Sequence, residues 1–135
     1  MMEIPNQKLM PFLSFSGNAE EAMRYYESVF GAKIDSITHF EPGQPGDVGK
    51  VINGVLDFDG IKLMFMDMLA AYPAPAFSWA TSLFLSFLDE QSFDAAFAGI
   101  STDGTVMMGP EPVNHLRKCA WVTDKFGVTW QLVWE

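Results

Sequence analysis

The sequence predicts an α+β protein built from two βαβββ modules. Three observations predict it. A strand, helix, three-strand order runs up to about residue 67 and begins again at about residue 81, with helix starts at Asn18 and Asp89, 71 residues apart. Between two apolar runs lies Asp59-Gly60, a strong hairpin signal because glycine accepts the positive φ of a type I′ turn. The third is composition: 135 residues that are 49% hydrophobic and 19% charged suit one packed domain and exclude a disordered chain.

In the first module, Leu9 to Phe15 reads as a short buried strand. Asn18 is a favoured N-cap, Glu21 follows in a variant of the capping box, and Ala22, Tyr25, Tyr26, Val29 and Phe30 make one apolar helix face. With Gly31 as left-handed C-cap, the helix spans 19–30. Lys33 to Phe40 alternates as a strand, and the two prolines and two glycines of residues 41–47 make a mobile loop. Val51 to Phe58 and Ile61 to Asp67 flank the hairpin. The segment 68–80, with Pro73 and Pro75, is a linker, which puts the modules at about 8–67 and 81–135 of a single domain covering 1–135.

In the second module, Thr81 to Leu88 is a strand and Asp89 caps a shorter helix carrying Phe93, Ala96, Phe97 and Ile100. Strands follow near 105–109, 117–123 and 128–134, with Gly109-Pro110 read as a turn. Neither module can bury both faces of a four-stranded sheet by itself. The two halves are therefore expected to associate, within or between chains, around a shared concave surface.

Charge and scarce residues narrow the function. Eight basic against 17 acidic residues give a net charge of −9, which repels phosphate backbones and argues against nucleic acid as a partner. The lone Cys119 reads as a buried small hydrophobe, since no disulfide or Cys-x-x-Cys motif is possible. No signal segment or membrane span is read, so no membrane partner is expected and the cytoplasm is the expected location. His39 and His115 are the only histidines, whereas 12 Phe, 9 Met, 4 Trp and 3 Tyr supply ample apolar wall.

Residues 15–32, Phe-Ser-Gly-Asn-Ala-Glu-Glu-Ala-Met-Arg-Tyr-Tyr-Glu-Ser-Val-Phe-Gly-Ala, resemble the helix signature of the vicinal oxygen chelate superfamily, which includes glyoxalase, bleomycin-resistance and extradiol dioxygenase proteins. Asp124-Lys-Phe-Gly-Val-Thr-Trp-Gln-Leu132 is similar to the closing motif of its PhnB-like branch, often labelled 3-demethylubiquinone-9 3-methyltransferase-like. The resemblance runs from about Leu9 to Trp134. It implies paired βαβββ modules forming a curved mixed sheet around a cavity, and a homodimer able to exchange modules or strands.

Metal-dependent members of that superfamily take His and Glu ligands from the first and last strands of each module. Carried onto this sequence, those positions fall at about Pro11, Met64, Leu83 and Gln131. Only Gln131 offers an oxygen, so no metal and no other cofactor are expected. The branch often has a histidine in its third strand, near Asn53. A methyltransferase activity is not expected either, because no glycine-rich turn follows a parallel strand and Asp57-Phe-Asp-Gly60 joins antiparallel ones.

Candidate ligand-binding residues are Leu13, Asn53, Met64, Met66, Leu85, His115 and Gln131. The Met64-Phe-Met66-Asp-Met68 run combines flexible thioethers suited to an irregular pocket. His39 ends a strand beside the 41–47 loop, His115 lies in a loop that overhangs the cavity in this fold, and Arg117-Lys118 is an adjacent basic pair for an anionic group. Asp57, Asp59 and Asp67 flank the hairpin, where acidic residues usually serve turns. No nucleophile and base stand at a credible spacing, so the leading expectation is metal-independent binding of a small apolar or aromatic molecule. A metal-independent lyase, isomerase or dioxygenase-like enzyme using Gln131, Asn53 and a loop histidine is the alternative. A purely structural or partner-binding dimer is the third reading.

Overall fold

A computed structural model describes residues 4–135. The chain divides after Pro75 into two compact units. The first contains β1 (Phe12–Phe15), α1 (Ala19–Phe30), β2 (Lys33–His39), β3 (Val51–Phe58) and β4 (Ile61–Asp67). The second contains β5 (Ser82–Phe87), α2 (Glu90–Ser101), β6 (Thr105–Val113), β7 (Leu116–Thr123) and β8 (Thr129–Trp134). Each unit is one βαβββ module, with sheet orders β1-β4-β3-β2 and β5-β8-β7-β6. The first strand of each module runs parallel to the last, and the other pairs are antiparallel.

Each helix covers one face of its own sheet. In the first module Phe65 meets Phe15 at 5.8 Å and Tyr26 at 6.1 Å, while Phe30 lies 5.9 Å from Phe58. A Cβ on Gly54 would stand 2.5 Å from the Met23 sulfur, so glycine lets α1 approach β3 closely. In the second, Phe93 meets Phe87 edge-on at 5.9 Å and joins the buried Ala96, Ile100, Trp130 and Leu132. Burying each large apolar side chain contributes about 1.5–3 kcal/mol, so these helix-to-sheet layers are the main source of stability.

The hairpin forms as the residues require: Asp59 and Gly60 both have positive φ, at 51° and 99°. Gly31 ends α1 in the left-handed region at φ 69°. Asp89 accepts from the Ser92 amide at 2.7 Å and so caps α2.

Three local expectations change. The Asn18 side chain makes no capping hydrogen bond. Instead Asp67 Oδ1 accepts the amides of Gly17 at 2.9 Å and Ala19 at 3.0 Å, and its Oδ2 accepts that of Val51 at 2.9 Å. Gly109-Pro110, a cis peptide, is not a turn; β6 continues through it to Val113 with register shifts on either side. Proline is tolerated there because β6 is the edge of its sheet and needs no outward amide. The first strand begins at Phe12 rather than Leu9.

The segment 41–50 is tied at its base, where Phe40 N donates to Lys50 O at 2.8 Å and Gly49 N to Phe40 O at 3.0 Å. Lys50 Nζ then donates to Gly17 O at 2.8 Å, joining this loop to the start of α1.

Candidate functional site

Alternation along each strand decides which side chains share the face that the helix leaves open. Gly54 and Phe65 look at α1, so Asn53, Val55, Met64 and Met66 lie on the other side. Register then places them in rows. Val55 is level with Ser36 on one side and Met64 on the other, and Met64 with Phe12. The next row holds Thr38 opposite Asn53 and Ser14 opposite Met66. On the opposite side of the Val55 and Met64 row, Asp57 lies opposite Lys62.

Of the candidates in the first module, the sheet gathers Asn53, Met64 and Met66 and separates Leu13. Leu13 pairs with Phe65 and shares its helix-facing side. In the second module the outcome is parallel: Leu85 pairs with Leu132 beneath α2, while Gln131 pairs with Phe84 and Trp121 on the open face. Gln131 Nε2 donates to Ser82 Oγ at 2.8 Å, and the hydroxyls of Thr123 and Thr129 bond each other at 2.8 Å. His115 is exposed in the turn between β6 and β7.

Phe12, Ser14, Ser36, Thr38 and Phe84 belong to the open faces and were missed by reading residue type alone. A usable signal existed in parity: Phe15 and Phe87 pack towards the helices, so Phe12 and Phe84, three residues earlier in each first strand, face away. A cavity of about 210 Å³ lies on the first module, lined by Ile4, Pro5, Asn6, Asp35, Ser36, Val55 and Lys62. A second, of about 470 Å³, lies between the start of α1, the 41–50 loop and Met68 to Pro73.

The charged candidates are engaged elsewhere. His39 Nε2 lies 2.5 Å from Glu20 Oε1, and this hydrogen bond, more than the nearby Arg24, holds the Glu20 carboxyl below its usual range. Lys62 bonds Asp35 and Asp57; the Asp35 hydrogen bond foremost raises its ammonium pKa. Lys118 is raised likewise by Asp94 and Glu90. Arg117 stacks 3.7 Å over the Trp134 ring and donates to the Glu135 carbonyl. The basic pair is thus occupied within the chain rather than held out for an anion. Asp57 accepts from Gly60 N at 2.6 Å, so it serves the turn, as the hairpin reading expects. Burial pushes the Cys119 thiol up, with Glu111 adding to it, which makes it a poor nucleophile.

The donor set does not fit the superfamily's metal. The ligand positions estimated at Pro11 and Leu83 shift by one on the register, because Leu83 pairs with the helix-facing Trp130 and Met64 is level with Phe12. The open-face side chains there are Phe12 and Met64 in one module and Phe84 and Gln131 in the other, offering one amide oxygen among them. Among the described residues no group of three or more His, Cys, Asp and Glu side chains is placed to hold a metal ion. A methyl-donor nucleotide fits no better. The strand-to-helix turn after β1 has its Gly17 and Ala19 amides filled by Asp67, and the one after β5 is capped by Asp89.

Two βαβββ modules of this topology make the fold that solved glyoxalase/bleomycin resistance proteins also have. The chain belongs to the family described as 3-demethylubiquinone-9 3-methyltransferase, whose model matches residues 7–133. It is similar to a solved putative 3-demethylubiquinone-9 3-methyltransferase, PhnB protein, from Bacillus cereus, with 35% identity, a TM-score of 0.85 and coverage of 96% of this chain and 100% of that one. Protein YjdN of Escherichia coli (strain K12) is 25% identical over 136 residues, 92% of each chain. A glyoxalase/bleomycin resistance protein from Albidiferax ferrireducens T118 shares the fold, with a TM-score of 0.61, 16% identity and coverage of 96% and 99%. Among the described residues no helix is long and apolar enough to cross a membrane.

Proposed function

We propose that this chain binds a small, largely apolar or aromatic molecule on the open faces of its sheets, as a homodimer and without a metal ion. The observation that carries the reading is the composition of those faces: Phe12 and Met66 beside the buried Val55 and Met64 in one module, Phe84 and Trp121 beside the buried Val133 in the other. Phe12 and Phe84 are 48% and 61% exposed, so two large rings occupy equivalent positions with much of their surface uncovered by this chain. Thioethers beside them adapt to an irregular ligand.

Binding without turnover is supported by the location of the reactive groups. His39 is held by Glu20, His115 stands in an exposed turn, and the Cys119 thiol is kept protonated by burial. The homodimer is supported by the sheets' edges, since β1 and β5 are each bonded on one side only within their sheets. Light scattering at micromolar concentration is expected to give about twice the 15.0 kDa chain mass.

The uncharged dye N-phenyl-1-naphthylamine tests the ligand reading directly. Saturable fluorescence enhancement is expected, unchanged after exhaustive dialysis against a chelator and weakened about tenfold or more by Met64→Lys. Absence of saturable binding, or binding that needs an added divalent cation, overturns it.

A further inference from the structure

The open face of the first module carries an unmet hydrogen-bonding capacity in a nearly buried side chain. Asn53 is only 6% exposed, yet among the described residues its side-chain amide has no protein hydrogen-bond partner. The same is true of the hydroxyls of Thr38 and Ser14. No fully enclosed side-chain nitrogen or oxygen is left without a partner among the described residues, so the Asn53 amide borders accessible space. A buried amide so placed is completed by water or by a ligand. On the second module's open face Gln131 bonds Ser82 and Thr123 bonds Thr129, and the row that corresponds to Asn53 holds Cys119 and Val133 instead of an amide.

These groups form one line. Thr38 is directly opposite Asn53, which places their Cβ atoms about 4.5–5.5 Å apart. Asn53 precedes Gly54, the partner of Phe65, and is therefore level with Met66, whose neighbour on β1 is Ser14. Met64 and Val55 border the line on one side as the apolar row. The cations level with Asp57 on this face, Lys33 and Lys62, lie beyond that row, and Lys62 is already held by Asp35 and Asp57.

We infer that the ligand presents an uncharged hydrogen-bonding group, a carbonyl, amide or hydroxyl, to the Thr38, Asn53 and Ser14 line of the first module, with its apolar body on Met64 and Met66. The inference rests on the apolar-ligand reading above and adds the chemistry of the polar end. A charged group is disfavoured at this line, because it would be desolvated against neutral amides, hydroxyls and thioethers with no counter-ion. An amide supplies both a donor and an acceptor, so Asn53 sets the orientation of the bound molecule.

Acetophenone and ethylbenzene, which differ by a carbonyl in place of a methylene, separate the possibilities. Their affinities are read from the methionine methyl signals of Met64 and Met66 in protein labelled at the methionine methyl carbon. Asn53→Leu is expected to shift the ratio of the two affinities about tenfold towards ethylbenzene while ethylbenzene itself still binds. Thr38→Val is a second variant, expected to shift the ratio in the same direction should Asn53→Leu fail to fold. An unchanged ratio in the folded variants overturns this inference and leaves the apolar-ligand reading standing. If neither probe moves the two methyl signals in the unaltered protein, the apolar-ligand reading falls and this inference with it.

Discussion

The carboxylate of Asp67 caps the helix that Ala19 begins, with Oδ1 3.0 Å from the Ala19 amide although 48 residues separate the two. The same group accepts from Gly17 and Val51, binding the start of α1, the end of β4 and the start of β3 into one junction. Removing it leaves three amides without an acceptor. Asp67→Ala is expected to cost about 3 kcal/mol in urea unfolding, against less than about 0.5 kcal/mol for Asn18→Ala. Equal costs for the two would return the cap to Asn18.

Asp124 plays the related part in the second module. Its Oδ1 accepts from Phe126 at 2.8 Å and Val128 at 3.1 Å, and its Oδ2 from the Trp130 indole at 3.0 Å. A double-mutant cycle of Asp124→Ala with Trp130→Phe should show a coupling of about 0.5–3 kcal/mol. Strict additivity would mean that the indole bond contributes nothing to stability.

Gly54 leaves room for the end of the Met23 side chain. A Cβ there meets the Met23 sulfur at 2.5 Å and its terminal methyl at 2.8 Å, so Gly54→Ala should destabilise by about 1–3 kcal/mol. Adding Met23→Ala should recover part of that loss relative to Met23→Ala alone. No recovery would place the cause in the backbone instead.

Stability should fall at both ends of the pH range. Glu20 and Asp57 are held below the usual carboxylate range, chiefly by the His39 hydrogen bond and the Gly60 amide respectively. The unfolded chain then binds more protons in acid, so their contribution is present above about pH 4 and is lost as pH falls through the folded values. Lys62 and Lys118 are raised, chiefly by Asp35 and Asp94, so theirs is present below about pH 10.4 and is lost as pH rises through the folded values. Thermal melts across that range should show a shallower acid limb in Glu20→Gln and a shallower alkaline limb in Lys118→Met. Limbs unchanged in both variants would contradict the assignment.

Much of the fold was legible because its signals are local. The stripe from Ala22 to Phe30, the Asp59-Gly60 turn and the Asp89 cap each depend on residues within a few positions, and each forms where expected. The site was legible only in part. Asn53, Met64, Met66 and Gln131 reach open faces, while Leu13 and Leu85 turn beneath the helices, because a shift of one residue along a strand reverses the face. Residue type identifies Leu13 as apolar but not which apolar layer it joins.

The sequence by itself determined the class of the protein: two βαβββ modules, an acidic surface, a large apolar supply and few metal-binding side chains, all of which follow from short-range periodicity and composition. Only the tertiary structure decided which polar groups are already satisfied. Asp67 finds the Ala19 amide across 48 residues, Gln131 finds Ser82 across 49, and the Asn53 side chain finds no protein partner among the described residues. Such pairings depend on strand register and the packing of each helix on its sheet, which bring together residues that no local pattern connects.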